Sequence, residues 1–164
     1  MTIVADSSPL VILAKLDCFN LLNRLFPLLY ISTEVHHEVV VSGAGLPGAS
    51  EVAKAEWIEV KQLQKPAALL AAQEKYALGG GELSTILLGK EIQADVLLMD
   101  DQNARKLARA EGFHVRGSVG LLETLYLQGH LTDLRTAFQQ LLKHSYIDPR
   151  LLDLRLRALG LPPL

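Results

Sequence analysis

The amino-acid sequence predicts an α/β fold built on a mostly parallel sheet of four to five strands, and three observations carry that expectation. Short β-branched and aliphatic runs alternate with longer stretches of helical hydrophobic period, the pattern of strands joined by crossover helices. The 164 residues are 49% hydrophobic and 21% charged, enough to bury roughly two-thirds of the unfolded surface in one core. No repeat, low-complexity segment or composition shift breaks the chain. A single domain over residues 1–164 is therefore expected, with C-terminal helices over about 132–160 packed on it.

Each element follows from local chemistry. Thr2 to Ala5 reads as the first strand, and Asp6-Ser7-Ser8-Pro9 ends it and opens a helix with Leu10, Leu13, Ala14 and Leu16 on one side. Pro9 suits a first helical turn, where a missing N–H costs nothing. Asp17 is expected to cap a short helix through Leu25, and Leu28 to Ile31 reads as a buried strand. Ser32 or Thr33 then caps a helix through Val41. The glycine-rich stretch Ser42 to Gly48 is a loop, followed by a short helix and a third strand over Trp57 to Leu63. Pro66 to Ala77 is helical, Gly79-Gly80-Gly81 breaks it, and Glu82 to Ile92 resumes helical spacing. Asp95 to Met99 is the fourth strand, ended by Asp100-Asp101. Helices over Asn103 to Glu111 and Ser118 to Gln128 flank a short strand at Phe113 to Val115, and helices over Asp133 to His144 and Pro149 to Leu159 complete the chain.

Charge and cysteine usage narrow the function. With 18 acidic and 16 basic residues the net charge is -2, which excludes a basic coat for nucleic acid while leaving room for a local patch. Cys18 stands alone, so no intramolecular disulfide forms, and no Cys/His set has zinc spacing. A reducing, cytoplasmic location is expected. Asp6 interrupts the first apolar run and gives no signal-peptide pattern, and Lys15, Asp17, Asn20, Asn23 and Arg24 interrupt the richest stretch. No run reaches the roughly 18–20 apolar residues of a membrane span.

In open α/β sheets, sites form outside the carboxyl ends of the strands. Two strands here end in aspartate, at Asp6 and at Asp100-Asp101, and a parallel sheet puts both ends on one rim. Capping of the next helix is the competing role for each. Glu38 falls within the helix after the second strand, one turn beyond Glu34, and Glu82 opens a helix where the dipole alone favours a carboxylate. Gathered together, Asp6, Glu38, Glu82 and Asp100/Asp101 would be a costly cluster of like charges unless a cation neutralised them. Oxygen donors without histidine or cysteine favour Mg²⁺ or Mn²⁺, and such ions support in-line phosphodiester hydrolysis.

The strand end Asp6-Ser7-Ser8, Glu38 in Glu34-Val35-His36-His37-Glu38-Val39, Gly80-Gly81-Glu82-Leu83-Ser84-Thr85-Ile86 and Leu97-Leu98-Met99-Asp100-Asp101 occur in the order of a PIN-domain ribonuclease. Ala104-Arg105-Lys106-Leu107-Ala108 and Gly117-Ser118-Val119-Gly120-Leu121-Leu122 resemble a prokaryotic PIN-like branch of nucleic-acid-binding proteins related to ribonuclease toxins. The resemblance spans nearly the whole chain. It implies a three-layer α/β/α fold, a Mg²⁺- or Mn²⁺-dependent endoribonuclease acting on RNA, an antitoxin partner and a toxin role. Asp6, Glu38 and Glu82 match the first three acidic positions, and Ser7 the small hydroxyl residue beside the first. The fourth acid matches the Asp100-Asp101 pair, with spacing that favours Asp101. The chain departs from many such domains in having Glu82 instead of aspartate and Met99 instead of Thr or Ser two residues before the fourth acid.

Arg105, Lys106 and Arg109 with Arg116 form the main basic concentration and would hold RNA phosphates beside the acidic rim, unless they are ordinary solvated charges. The triple glycine lacks the residues of a phosphate loop and reads as helix punctuation. His36 and His37 are adjacent, point to different helix faces, and are expected at the surface or toward a partner. Tyr30, Trp57 and Phe113 sit in strand-like contexts and are expected in the core. Leucines between Gly120 and Leu159 pack against the sheet, with a remainder available for a homodimer or an antitoxin helix. Two readings compete with the enzyme: a PIN-fold module that binds RNA or protein without turnover, and an unrelated α/β interaction protein whose acids are caps and solvated charges.

Overall fold

Side-chain alternation along two short central strands organises the molecule. In β1 (Ile3–Ala5), Ile3 and Ala5 face one layer and Val4 the other. The computed structural model describes residues 1–164. It joins β1 with β2 (Leu29–Ser32), β3 (Ile58–Lys61), β4 (Val96–Leu98) and β5 (His114–Arg116) into one all-parallel sheet of order β3-β2-β1-β4-β5, in which β1 pairs directly with β2 and β4. In β4, Val96 and Leu98 join the larger core with Ile3 and Ala5, while Leu97 joins Val4 and Met99 in the smaller one. Strands buried on both faces in this way read as continuous apolar runs, as Ile3-Val4-Ala5 and Val96-Leu97-Leu98-Met99 do.

Ten α-helices cover the two faces. α1 (Ser7–Lys15) starts two residues earlier than Pro9, because the Asp6 carboxylate accepts the Ser7 N–H at 2.8 Å and so caps it. Asp17 does not cap the following helix. It adopts the left-handed conformation (φ 56°) that ends α1, a role aspartate tolerates better than most residues. A 3₁₀ turn at Phe19–Leu21 then leads into α2 (Leu22–Leu25). Ser32, rather than Thr33, caps α3 (Thr33–His36) by accepting the Val35 N–H at 3.0 Å, and the chain continues as a π-helical turn over His37–Ser42. α4 (Ala49–Lys54) precedes β3, and α5 (Pro66–Lys75) follows it. The glycines do not separate α5 from the next helix so much as begin it: Gly79 caps α6 (Gly80–Glu91), and Gly80 and Gly81 lie in its first turn. α7 (Gln102–Ala110), α8 (Ser118–Leu127), α9 (Leu134–His144) and α10 (Pro149–Ala158) complete the set.

α1, α8, α9 and α10 supply Leu10, Leu13, Leu121, Leu125, Phe138, Leu141, Leu152 and Leu156 to the larger core. α6 and α7 close the opposite face with Ile86, Leu88, Ala104 and Ala108. The architecture is thus three-layered, α/β/α, and no helix is long and apolar enough to cross a membrane. Tyr30, Trp57 and Phe113 pack partly buried against these cores.

The strand order places the site. The chain steps outward from β1 to β2 and β3, then returns to build β4 and β5 on the other side of β1. The β1/β4 boundary is therefore the topological switch point, where the loops after two neighbouring strands diverge and leave a crevice. The backbone stitches these ends together: the Asp6 N–H donates to the Leu98 carbonyl at 2.8 Å, and the Met99 N–H to the Arg116 carbonyl at 2.9 Å.

α6 comes close to the sheet at Gly89, where a β-carbon would stand 2.9 Å from Leu97 and 3.2 Å from Phe113. Replacing Gly89 with Val should lower unfolding stability by about 1–3 kcal/mol in urea denaturation, the scale of overpacking a filled core. An unchanged midpoint would show that α6 can move away freely.

Candidate active site at the sheet's carboxyl rim

Each acidic side chain at the rim is placed by a local feature. Asp6 is the residue at which β1 turns into α1, so its carboxylate is 3% exposed and directed outward between the two elements. Glu38 lies in the π-helical turn; the residues before and within it, Thr33, Glu34, His37 and Glu38, share one side and line the same cleft. π turns inside helices are frequent at functional sites because they re-aim a side chain that a regular turn would carry past. Glu82 is the third residue of α6.

These groups converge on a cleft of about 600 Å³ whose lining contains no hydrophobic residue. Ser7 joins two of the acids: its Oγ donates to Glu38 Oε2 at 2.9 Å and lies 3.4 Å from Asp6 Oδ1. Gly81 forms the opposite wall. A β-carbon there would stand 2.5 Å from Glu38 Oε2 and 3.3 Å from Asp6 Oδ1, so only glycine lets α6 approach the two carboxylates. Glu82 is folded back on its own helix, accepting the Gly79 N–H at 2.7 Å in a capping arrangement. As they stand, no three acidic, His or Cys groups are drawn close enough to hold a metal ion. The donor set nevertheless fits a hard cation, because Asp6, Glu38, Glu82 and Ser7 offer only oxygen and the Gly81 cradle leaves the space between them open.

The electrostatics are unusual at Asp6. Burial first, and then the neighbouring Glu82 and Glu38 carboxylates, push its carboxyl up from 3.8 to about 7, against the opposing pull of its hydrogen bonds from Ser7. A carboxyl near half-ionised at neutral pH is a group whose charge is waiting for a partner.

The aspartate pair after β4 divides. Asp100 accepts from Ser118 N–H and Ser118 Oγ, both at 2.7 Å, and from Ser8 Oγ at 3.1 Å, so it ties the start of α1 to the start of α8. Asp101 is exposed and caps α7, accepting the Ala104 N–H at 2.9 Å. Both line a neighbouring groove instead of the acidic cleft. The basic residues are also dispersed. Arg105 turns inward and donates to the Met99 carbonyl at 3.0 Å, Arg116 is exposed at the end of β5, and Lys106 and Arg109 lie on the outer side of α7. None of the four lines the acidic cleft. His37, read from sequence as a surface residue, is exposed but belongs to this cleft with its Nδ1 3.3 Å from Ser42 Oγ. Its signal was its helical register with Thr33, four residues earlier.

The Asp6 shift has a stability consequence whose sign is set by the raised value. The folded state holds the Asp6 proton more tightly than the unfolded chain, so this stabilising contribution is full below pH 4 and disappears as pH rises through about 7. The full cost is on the order of 4 kcal/mol. Asp6→Asn has no such cost. In chelator, the variant should gain about 2–3 kcal/mol over wild type between pH 5 and pH 8 in urea denaturation. A pH-independent difference would mean that Asp6 titrates normally.

The family model for the PIN domain matches residues 2–160. No curated protein matches the chain. With nearly the whole sequence inside the match and a three-layer α/β/α architecture around the rim, the chain belongs to the PIN-domain family, a fold of nuclease type.

Proposed function

We propose that the protein is a metal-dependent endoribonuclease that hydrolyses RNA phosphodiester bonds at the acidic cleft. The observation that carries this reading is the buried Asp6, raised to about 7 at the switch point of the sheet, facing Glu38 and Glu82 across an all-polar cleft. Asp6, Glu38 and Glu82 are the residues proposed to hold Mg²⁺ or Mn²⁺. A bound divalent ion would neutralise the acids and stabilise the charge that develops on the phosphate during in-line hydrolysis.

The chain's own residues prepare that cleft. Ser7 orients Asp6 and Glu38 through one hydroxyl, and Gly81 keeps the space before them clear. Glu82 can exchange its Gly79 contact for the cation by a side-chain rotation, since the helix start is flanked by glycines that tolerate the adjustment. Asp100 is a positioning residue that fixes α1 against α8 through Ser8 and Ser118. Asp101, with one oxygen engaged in capping α7, is the outermost candidate ligand. The resemblance to ribonuclease toxins extends the reading to an antitoxin partner and a dimeric assembly.

A second reading, binding of RNA or protein without turnover, is favoured by the Glu82 cap and by the absence of three acids close enough to share a metal ion. One experiment separates the two. Purified wild type, Asp6→Asn, Glu82→Gln and Asp101→Asn are incubated with mixed RNA and Mg²⁺ or Mn²⁺, and products are resolved by electrophoresis. Wild type should cleave, and Asp6→Asn and Glu82→Gln should be slower by roughly 100-fold or more, the scale for losing one preorganised electrostatic group. Because Asp6→Asn should be the more stable protein at pH 8 in chelator, it stays folded without the ion, and its loss of activity is not unfolding. No cleavage with either ion, or equal cleavage by the variants, removes the catalytic reading; RNA binding that persists in excess chelator without products supports the second one.

A further inference from the structure

Beside the acidic cleft, a second opening is a groove of about 900 Å³ between the start of α7, the length of α8, the linker from α9 to α10, and α10. One hydrogen bond links the linings of the two openings. Ser8 lines the cleft, Asp100 lines the groove, and the Ser8 hydroxyl donates to Asp100 at 3.1 Å. A strand crossing that contact would pass directly from one opening to the other.

Most charges in the groove are already engaged within the protein. Asp100 is held by Ser118 and Ser8, Asp101 caps α7, Glu123 pairs with Arg155 at 2.7 Å, and Asp148 pairs with Arg150 at 2.8 Å. What remains free is chemically distinct. Arg116, Gln102, Asn103 and Tyr146 are all exposed, and none of their side chains makes a hydrogen bond or ion pair within the protein. Tyr146 is fully exposed on the linker, and Leu127 and Leu151 leave apolar surface in the same groove. A fully exposed aromatic ring in a groove that also holds exposed leucines, one unpaired guanidinium and two unpaired amides matches the needs of an unpaired nucleotide: a face to stack on, a cation for phosphate and donors for base edges.

We propose that this groove is a subsite for an unpaired nucleotide of the RNA whose neighbouring phosphate lies in the acidic cleft. Tyr146 stacks the base and Arg116 contacts the backbone; duplex RNA, in which both faces of every base are covered, offers Tyr146 no such contact. The inference rests on the endoribonuclease reading above, since it takes the cleft to hold a phosphate of the same strand.

The test measures binding, with Ca²⁺ replacing Mg²⁺ to slow cleavage. An unstructured fluorescein-labelled RNA of about 12 nucleotides and a labelled blunt-ended duplex of about 12 base pairs are titrated with wild type, Tyr146→Ala, Tyr146→Phe and Arg116→Ala. Tyr146→Ala should weaken single-strand binding by about tenfold, the size of one lost base stack, while Tyr146→Phe keeps it. Arg116→Ala should lower the slope of log affinity against log salt by about 0.7, one phosphate contact on a single strand. The duplex should bind less tightly than the single strand and be indifferent to Tyr146→Ala. If wild type binds and cleaves RNA but Tyr146→Ala and Arg116→Ala match it, the subsite is wrong while the nuclease reading stands. If wild type binds neither RNA, both fall.

Discussion

A carboxylate placed where burial and like charge oppose its ionisation is the constraint around which the rim of this protein is built. Asp6 is almost fully buried, yet it is also the residue that turns β1 into α1, and its side chain accepts the Ser7 N–H that starts the helix. Capping favours the charged form and burial disfavours it, and burial prevails, with Glu82 and Glu38 adding to the effect. A cap alone would not require this environment: Asp101, Asp133 and Asp148 cap α7, α9 and α10 from exposed positions without buried carboxylates around them. The cost at Asp6 is the kind that functional sites carry, and a divalent cation is the partner that would offset it.

The fold supplies the surroundings. A parallel sheet sends every strand's carboxyl end to one rim, and the return of the chain from β3 to β4 opens the rim beside β1. Glycine at 81 then lets α6 approach Glu38 and Asp6 at a distance no other residue allows. Asp100 acts from the other side of the same boundary, holding α1 and α8 in register through two serines. The cleft is therefore shaped by backbone placement more than by long flexible side chains, Glu82 being the exception.

Much of this was legible in the sequence, for physical reasons that differ by residue. The doubly buried runs Ile3-Val4-Ala5 and Val96-Leu97-Leu98-Met99 announce central parallel strands, and their terminal aspartates announce the rim. Helix starts were less legible, because one residue type serves several turns: Asp6 caps α1 whereas Asp17, equally plausible as a cap, is left-handed and ends that helix. The glycines at 79–81 look like a break, but their role depends on what stands opposite them, which only packing reveals. The π turn at His37–Ser42 has no sequence period of its own, so the helical register with Thr33 is the one sequence signal for His37 in the cleft. Tyr146 is isolated among polar neighbours in sequence and acquires a context only when the α9–α10 linker folds beside Arg116 and α8.

The central claim, that the rim acids share one electrostatic site completed by a divalent cation, is tested most directly by following the Asp6 side-chain carboxyl carbon by NMR across a pH titration, with and without Mg²⁺. The account predicts a midpoint near 7 in chelator that falls toward the ordinary carboxylate range of about 4 when Mg²⁺ is added. A midpoint near 4 in chelator, or one near 7 that saturating Mg²⁺ leaves in place, would contradict it.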